Sequence, residues 1–249
     1  MPEHVIRPIP LVKNVGVSTY KMTHLVGTGS PQDRGSYIWY IEGPGKNILV
    51  DAGASMDMPA TGGAGTIMFP EGHSEAVQTM EEGLGKLGLK PEDIDIVVFT
   101  HLHEDHVGLA HKYTNARLIV QKAELEFARN PHPIQQFTYQ PKMLEGLDFE
   151  TIEGDAQIAD GVNVMLTPGH SAAGQSIIID TAKGKAVITG FCCVRGNFEP
   201  PPELGIPVIP TGILLDPIKS YDSLLKVKNV ADIIIPIHDG EFLEVASIP

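Results

Sequence analysis

Four short apolar runs in this chain each end on a side chain that can bind a metal. "ILVD" ends at Asp51, "DIVVFTH" at His101, "NVMLTPGH" at His170 and "DIIIPIH" at His238. "DIVVFTH" reads as a strand buried on both faces, and the other three read as strands as well. Any fold that holds them must cover its sheets and gather several strand ends along one edge. The rest of the pattern agrees. Tyr37 to Glu42 and Asn47 to Asp51 read as a hairpin turning at Gly43-Pro44-Gly45-Lys46. Ser74 is expected to cap a helix that carries Val77, Met80, Leu84 and Leu87 and stops at Gly88. Arg117 to Gln121 reads as a strand, Lys122 to Arg129 as a short helix, "SIIID" and "KAVITG" as further strands, and Pro217 to Asn229 as a helix. Strands, then helix and strand alternating, twice over, predict an α/β fold of two sheets face to face with helices outside.

The strongest chemical signal is "THLHEDHVG", Thr100 to Gly108. His101 and His103 are two apart, so both side chains leave an extended backbone on one side. Asp105 and His106 follow where the chain turns. Imidazole nitrogen and carboxylate oxygen are the usual ligands of catalytic zinc. A polar turn that happens to be rich in histidine is the bland alternative, and the bounding apolar strand and glycine weigh against it. His170, His238 and Asp51 would each pass for turn residues alone. Convergence of four strand ends is what a metal site needs.

These residues resemble the metallo-β-lactamase superfamily. "THLHEDHVG", "TPGHSAAGQS", "ILVDAG" and "PIHD" carry the resemblance, supported by "LIVQKAELEFA" and "IEGD". Their order and spacing are most similar to its N-acyl homoserine lactonase branch. The resemblance runs over nearly the whole chain and implies an αββα four-layer sandwich, with residues 1–249 as one domain. It implies that His101, His103 and His170 bind a first metal and that Asp105, His106 and His238 bind a second. Asp51 would act from beneath, fixing a ligand histidine or the loop. The implied cofactor is Zn²⁺, one or two per chain, with Mn, Fe or Co as alternatives. The implied reaction is hydrolysis of a lactone or similar cyclic ester or amide. Water activated at the metal, its pKa lowered to about 7, would attack the carbonyl, with Asp105 orienting it or shuttling its proton.

One expected ligand is absent. The family's bridging aspartate follows the strand matched by "KAVITG", and its position falls on Gly190 or Phe191. Both cysteines of the chain lie next to it, at Cys192 and Cys193. Cys192 is a candidate ligand of the second metal, because some relatives use cysteine there and thiolate suits zinc. In an extended backbone only one of the two can face the site. A pair of small buried hydrophobes is the equal alternative, and a redox pair the weakest. Cys193 stands where lactonases place a tyrosine near the substrate, so substrate contact is a further expectation there. The loop Ala52 to Gly72 is rich in Gly, Met and Pro, and its length suggests function. Phe69 on it and His73 at its end are candidate substrate contacts, or the loop simply folds back on itself.

Composition narrows the partners. With 18 Lys+Arg against 31 Asp+Glu, there is no basic footprint for nucleic acid, and a small-molecule substrate is expected. No apolar run approaches the ~20 residues of a membrane span. An N-terminus without signal-peptide regions and two adjacent cysteines suit the cytoplasm. A homo-oligomer is left open. The rival readings are a thioester, β-lactam or degradation-pathway hydrolase on the same scaffold, or a non-catalytic metal or small-molecule binder. Retention of all five histidines argues against the last.

Overall fold

The computed structural model describes residues 3–26, 31–54 and 73–249. The chain runs β1 (Val5–Val17), β2 (Gln32–Glu42), β3 (Ile48–Val50), β4 (His73–Ala76), α1 (Met80–Gly85), β5 (Ile96–Val98), α2 (Glu104–Val107), β6 (Arg117–Gln121) and α3 (Lys122–Arg129). It continues through β7 (Phe149–Ile152), β8 (Ala156–Ala159), β9 (Val162–Leu166), β10 (Gln175–Thr181), β11 (Gly184–Ile188), α4 (Arg195–Phe198), α5 (Pro217–Val230) and β12 (Ile233–Ile235). The strands form two sheets, in the orders β4-β1-β2-β3-β5-β6-β7 and β12-β11-β10-β9-β8.

The period of two along each strand sorts its side chains between two cores. Trp39, Ile41, Val50, Val98 and Ile119 of the first sheet meet Val164, Ile177, Ala186 and Ile235 of the second. The alternate residues Ile38, Leu49, Val97 and Leu118 face outward, against Met80 and Leu84 of α1 and Leu125 and Ala128 of α3. On the other sheet Met165 and Val187 pack under Leu224 and Val227 of α5. Both sheets are therefore covered twice, which is the αββα sandwich. No helix among the described residues is long and apolar enough to cross a membrane.

Two elements differ from the sequence reading. Ser74 does not cap a helix. His73–Ala76 forms an edge strand on β1, with Val12 opposite Ala76 and Val15 opposite His73. The helix starts later, at Met80, where Thr79 and Glu82 close a capping box. The pairing partner lies 60 residues upstream, beyond the reach of a local pattern. β1 itself escaped the reading because Pro8 and Pro10 interrupt it. They share parity with Ile6, whose N–H donates to Ile248 rather than to β2. The missing proline donors thus fall on the side away from the β2 ladder.

Sheet geometry places the site. β3, β5 and β6 run parallel in one sheet, and β11 and β12 run parallel in the other. The segments that follow β3, β5, β9, β11 and β12 gather at one end. Gln175 locks the sheets there: its N–H donates to Thr100 O at 2.8 Å and its Nε2 to Phe99 O at 2.7 Å.

Candidate metal centre

Six side chains from these strand ends form two groups. His101, His103 and His170 are one, and Asp105, His106 and His238 are the other. Within each, the ligand atoms lie within 4.8 Å of one another. The groups adjoin, with the His101 and His106 rings 4.0 Å apart at their centroids. All five histidines are buried, while the Asp105 side chain is 38% exposed, so Asp105 marks the open side.

Hydrogen bonds set which imidazole nitrogen is free. His170 Nδ1 donates to Ile213 O at 2.6 Å, and His238 Nδ1 donates to Gly35 O at 2.9 Å. His106 Nδ1 donates to Asp51 Oδ2 at 2.7 Å. The Thr100 hydroxyl sits 2.8 and 3.1 Å from the two Asp51 oxygens and 3.0 Å from His101 Nδ1. Its single proton must go to the acceptor-only carboxylate, so His101 Nδ1–H donates to it. The rings of His101, His170 and His238 are therefore left with Nε2 lone pairs. His101 Nε2 and His170 Nε2 face each other at 3.2 Å, and His103 Nε2 and His106 Nε2 are buried with no hydrogen-bond partner, the latter 3.4 Å from Asp105 Oδ2. Opposed lone pairs and orphaned buried nitrogens are costly in a protein interior and fit a bound cation. The residues present suit a divalent metal.

Charge follows the same logic. Burial holds His101 and His103 neutral, well below the ordinary histidine range, and the neighbouring imidazoles add to the effect. Burial lowers His170 to about 4 and also lowers His238. Burial works against charge at His106 too, but Asp105 and Asp51 outweigh it and raise its pKa to about 9. A metal at that nitrogen would therefore displace a proton. At Asp105 burial opposes ionisation, but His106 and His238 win and the carboxyl lies below its usual range.

Asp51 carries this arrangement. Its backbone is left-handed, with φ 62°. That conformation costs a non-glycine residue of order 1–2 kcal/mol. In return, Oδ1 accepts from Thr100 N at 2.7 Å, and the following amides of Ala52 and Gly53 both donate to His106 O. The aspartate holds both the His106 ring and the loop, so the two roles expected for it coincide.

The other predicted site residues are placed differently. Gly190 and Phe191 supply no carboxylate, and neither ligand group includes one from the segment after β11. Phe191 packs in the core beneath α5. Cys192 and Cys193 lie beyond the end of β11 and meet different neighbours. Cys192 Sγ lies 3.9 Å from Met22 Sδ, and Asp105, close enough to act on it electrostatically, adds to the burial that pushes its thiol up. It belongs to neither three-residue group as the side chain stands. Cys193 is not a substrate contact: it is fully buried in the core beneath α5, with Sγ 3.1 Å from Thr189 Oγ1. His73 lies on edge strand β4, exposed and paired to Glu75 at 2.8 Å, away from the ligand groups. Phe69 lies outside the described residues.

The structure adds Glu124 and Tyr139, which the sequence reading did not select. Glu124 is fully buried. It accepts from Leu102 N at 3.1 Å, Tyr139 Oη at 2.7 Å and Ala173 N at 2.9 Å. Leu102 lies between His101 and His103, and Ala173 follows His170, so one carboxylate ties both loops of the first group together. The Tyr139 ring packs edge-on against His103 at 4.5 Å. A signal was available: Glu124 and Ala128 share a helix face at i, i+4 spacing, so an acid sits on the buried side of α3.

Two helix-covered sheets with a doubled His/Asp cluster across one end define a metal-binding αββα protein. The chain belongs to the metallo-beta-lactamase superfamily, which residues 31–190 match. An N-acyl homoserine lactonase of Bacillus cereus is 34% identical over 164 residues, which is 64% of this chain and 63% of that protein. The alignment thus spans less than two thirds of that relative's length. Over nearly full length, the fold superposes on a B. thuringiensis AiiA mutant with N-decanoyl-L-homoserine bound at the active site. The TM-score is 0.76, at 27% identity over 97% of this chain and 95% of that one. A second structure, an N-acyl homoserine lactone hydrolase with its product N-hexanoyl-L-homoserine at the catalytic metal centre, gives 0.75 at 27% identity with the same coverage.

Proposed function

We propose that this protein is a metal-dependent hydrolase that opens a lactone or similar cyclic ester or amide. The observation that carries the proposal is the pair of adjoining ligand groups, His101, His103 and His170 beside Asp105, His106 and His238, in a chain related to lactonases. Zinc is the proposed metal, one or two per chain, with Mn, Fe or Co able to use the same donors. When bound, the metal supplies Lewis acidity and lowers the pKa of water to about 7. The chain supplies the rest. Ile213 O, Gly35 O, Asp51 and Thr100 hold the imidazoles in the tautomer that frees Nε2. Glu124 keeps the His101–His103 and His170 loops in register. Asp105 Oδ2 lies 3.4 Å from His106 Nε2 and 3.6 Å from His238 Nε2, on the open side of the cluster. Ionised there, it takes a proton from attacking water and returns it to the leaving alkoxide. Two unpaired cysteines support a reducing, cytoplasmic setting.

A panel of N-acyl homoserine lactones, simple lactones, thioesters and β-lactams, assayed on metal-loaded protein, tests this. Cyclic esters are expected to turn over best, and a chelator is expected to abolish the activity. Faster turnover of thioesters or linear amides would move the chain to another reaction on the same scaffold. No turnover of any member would make it a binder.

Cys192 is the further ligand we propose for the second metal. Gly190 and Phe191 offer nothing to it, whereas Cys192 lies within electrostatic reach of Asp105. Cobalt-substituted protein is expected to show an intense near-ultraviolet sulfur-to-metal band. The substitution Cys192→Ser should erase it and weaken one of two metals, and Cys193→Ser should do neither. Full two-metal occupancy without a sulfur band would return Cys192 to packing against Met22.

A further inference from the structure

His238 comes last in the chain of the six candidate ligands, beyond the end of β12. Asp105 and His106 share α2, so the second group closes only when His238 is brought to them. A segment of β2 does this. His238 Nδ1 donates to Gly35 O at 2.9 Å, and Gly35 N donates to His238 O at 3.1 Å. Ring and main chain of the ligand are thus both tied to one residue.

That residue is glycine for a steric reason. A Cβ on Gly35 would lie 2.0 Å from Tyr37 Cζ and 2.1 Å from Tyr37 Oη. Residues two apart on a strand share a face, and here the Tyr37 ring lies back across Gly35. Its hydroxyl donates to Asp239 O at 2.7 Å, the carbonyl that follows His238. The ring is 2% exposed and held from its other side. Trp39 packs against it at 4.9 Å, and Phe242 packs edge-on against Trp39 at 5.3 Å. Phe242 belongs to the turn Gly240–Glu244 that follows His238. The aromatic row and the Gly35 hydrogen bonds therefore hold the same segment.

Further anchors lie to either side. Ile237 N donates to Thr189 Oγ1 at 3.0 Å. The Asp239 carboxylate accepts from Arg195 N at 2.7 Å and Glu241 N at 3.0 Å. These fix the chain before and after His238, and the bonds to Gly35 fix the imidazole.

We propose that Tyr37 is a positioning residue for the second metal: its ring over Gly35 and its hydroxyl on Asp239 O hold His238 where it closes the group with Asp105 and His106. This rests on the hydrolase reading above, in its two-metal form. Loss of a group that orients a metal ligand costs roughly 10–100-fold in metal affinity. The first group has anchors of its own in Ile213 O, Thr100 and Glu124, so the effect falls on one metal of the two.

Zinc-loaded protein titrated with a competing chelator tests this, with the released metal assigned to a group by His170→Ala and His238→Ala. Tyr37→Phe keeps the ring and deletes the hydroxyl. It should weaken the second metal about tenfold or more and leave the first within about twofold. Gly35→Ala expels the ring and should weaken the second metal at least as much. Adding Tyr37→Phe to Gly35→Ala should then cost little more, because the hydroxyl has already lost its carbonyl. Equal weakening of both metals would show Tyr37 to be core packing and overturn the proposal. So would a lower melting temperature with both metals held as tightly as before, or failure of Tyr37→Phe to fold. A full additional loss in the double variant, or an unsubstituted protein that holds fewer than two zinc ions, would overturn it as well. Selective loss of the second metal in Tyr37→Phe, in a protein that opens no lactone, would support the proposal and sink the hydrolase reading alone.

Discussion

Replacing His103 with alanine is expected to remove at least one equivalent of metal and to lower turnover more than about a hundredfold, while the protein stays folded. Loss of a group that merely orients a ligand already costs roughly 10–100-fold, and His103 belongs to the three-residue group itself. Its Nε2 is buried and makes no protein hydrogen bond, so the substitution breaks none there. What the metal-free fold loses is the ring contact with Tyr139, worth about 0.5–1.5 kcal/mol, together with the ring contacts to His101 and His170 and some packing. Elemental analysis and a thermal melt on the same sample separate the two effects. Unchanged metal content would show that His101 and His170 suffice and that His103 is only packed against Tyr139.

The second large effect concerns the aspartate that relatives are expected to carry after β11. Restoring it as Gly190→Asp is expected to destabilise the protein by about 3 kcal/mol or more and to weaken metal binding. A Cβ at Gly190 would lie 2.0 Å from Gln175 O and 2.2 Å from its carbonyl carbon, and backbone cannot rotate away as a side chain can. Gln175 in turn donates to Thr100 O and Phe99 O, and Thr100 holds Asp51 and His101. A shift of β10 would therefore travel into the first ligand group. Urea unfolding with metal analysis reads both consequences. A stable variant that binds two metals more tightly would show that this strand pair yields and that the lost ligand can be rebuilt.

Much of the site was legible because metal ligands on one strand end are close in sequence. "THLHEDHVG" places four donors within six positions, and an apolar strand before it fixes where they emerge. Strands β3, β5, β6, β9, β10 and β11 and helices α3 and α5 were legible for a similar reason, since periodicity and caps act over a few residues. β1 and β4 were not. Proline hid the first, which pairs with the next strand in the chain, and the second exists through its pairing with a strand far upstream.

Tertiary structure decided what those donors are able to do. Sequence names Asp51 as a strand-end acid, but only packing shows it spending one oxygen on Thr100 and the other on His106. Sequence offers two cysteines, and the turn of the backbone sends Cys193 into the core and leaves Cys192 beside Met22. Glu124 and Arg34 look like ordinary surface charges on paper. One becomes the tie between two ligand loops, and the other is buried with two of its nitrogens lacking a hydrogen-bond partner. The difference is one of range. Hydrophobic period and ligand spacing are set by neighbours along the chain. Desolvation, tautomer and the pairing of buried charge depend on groups brought together from positions as far as 49 and 203 residues apart, and only the folded chain selects those.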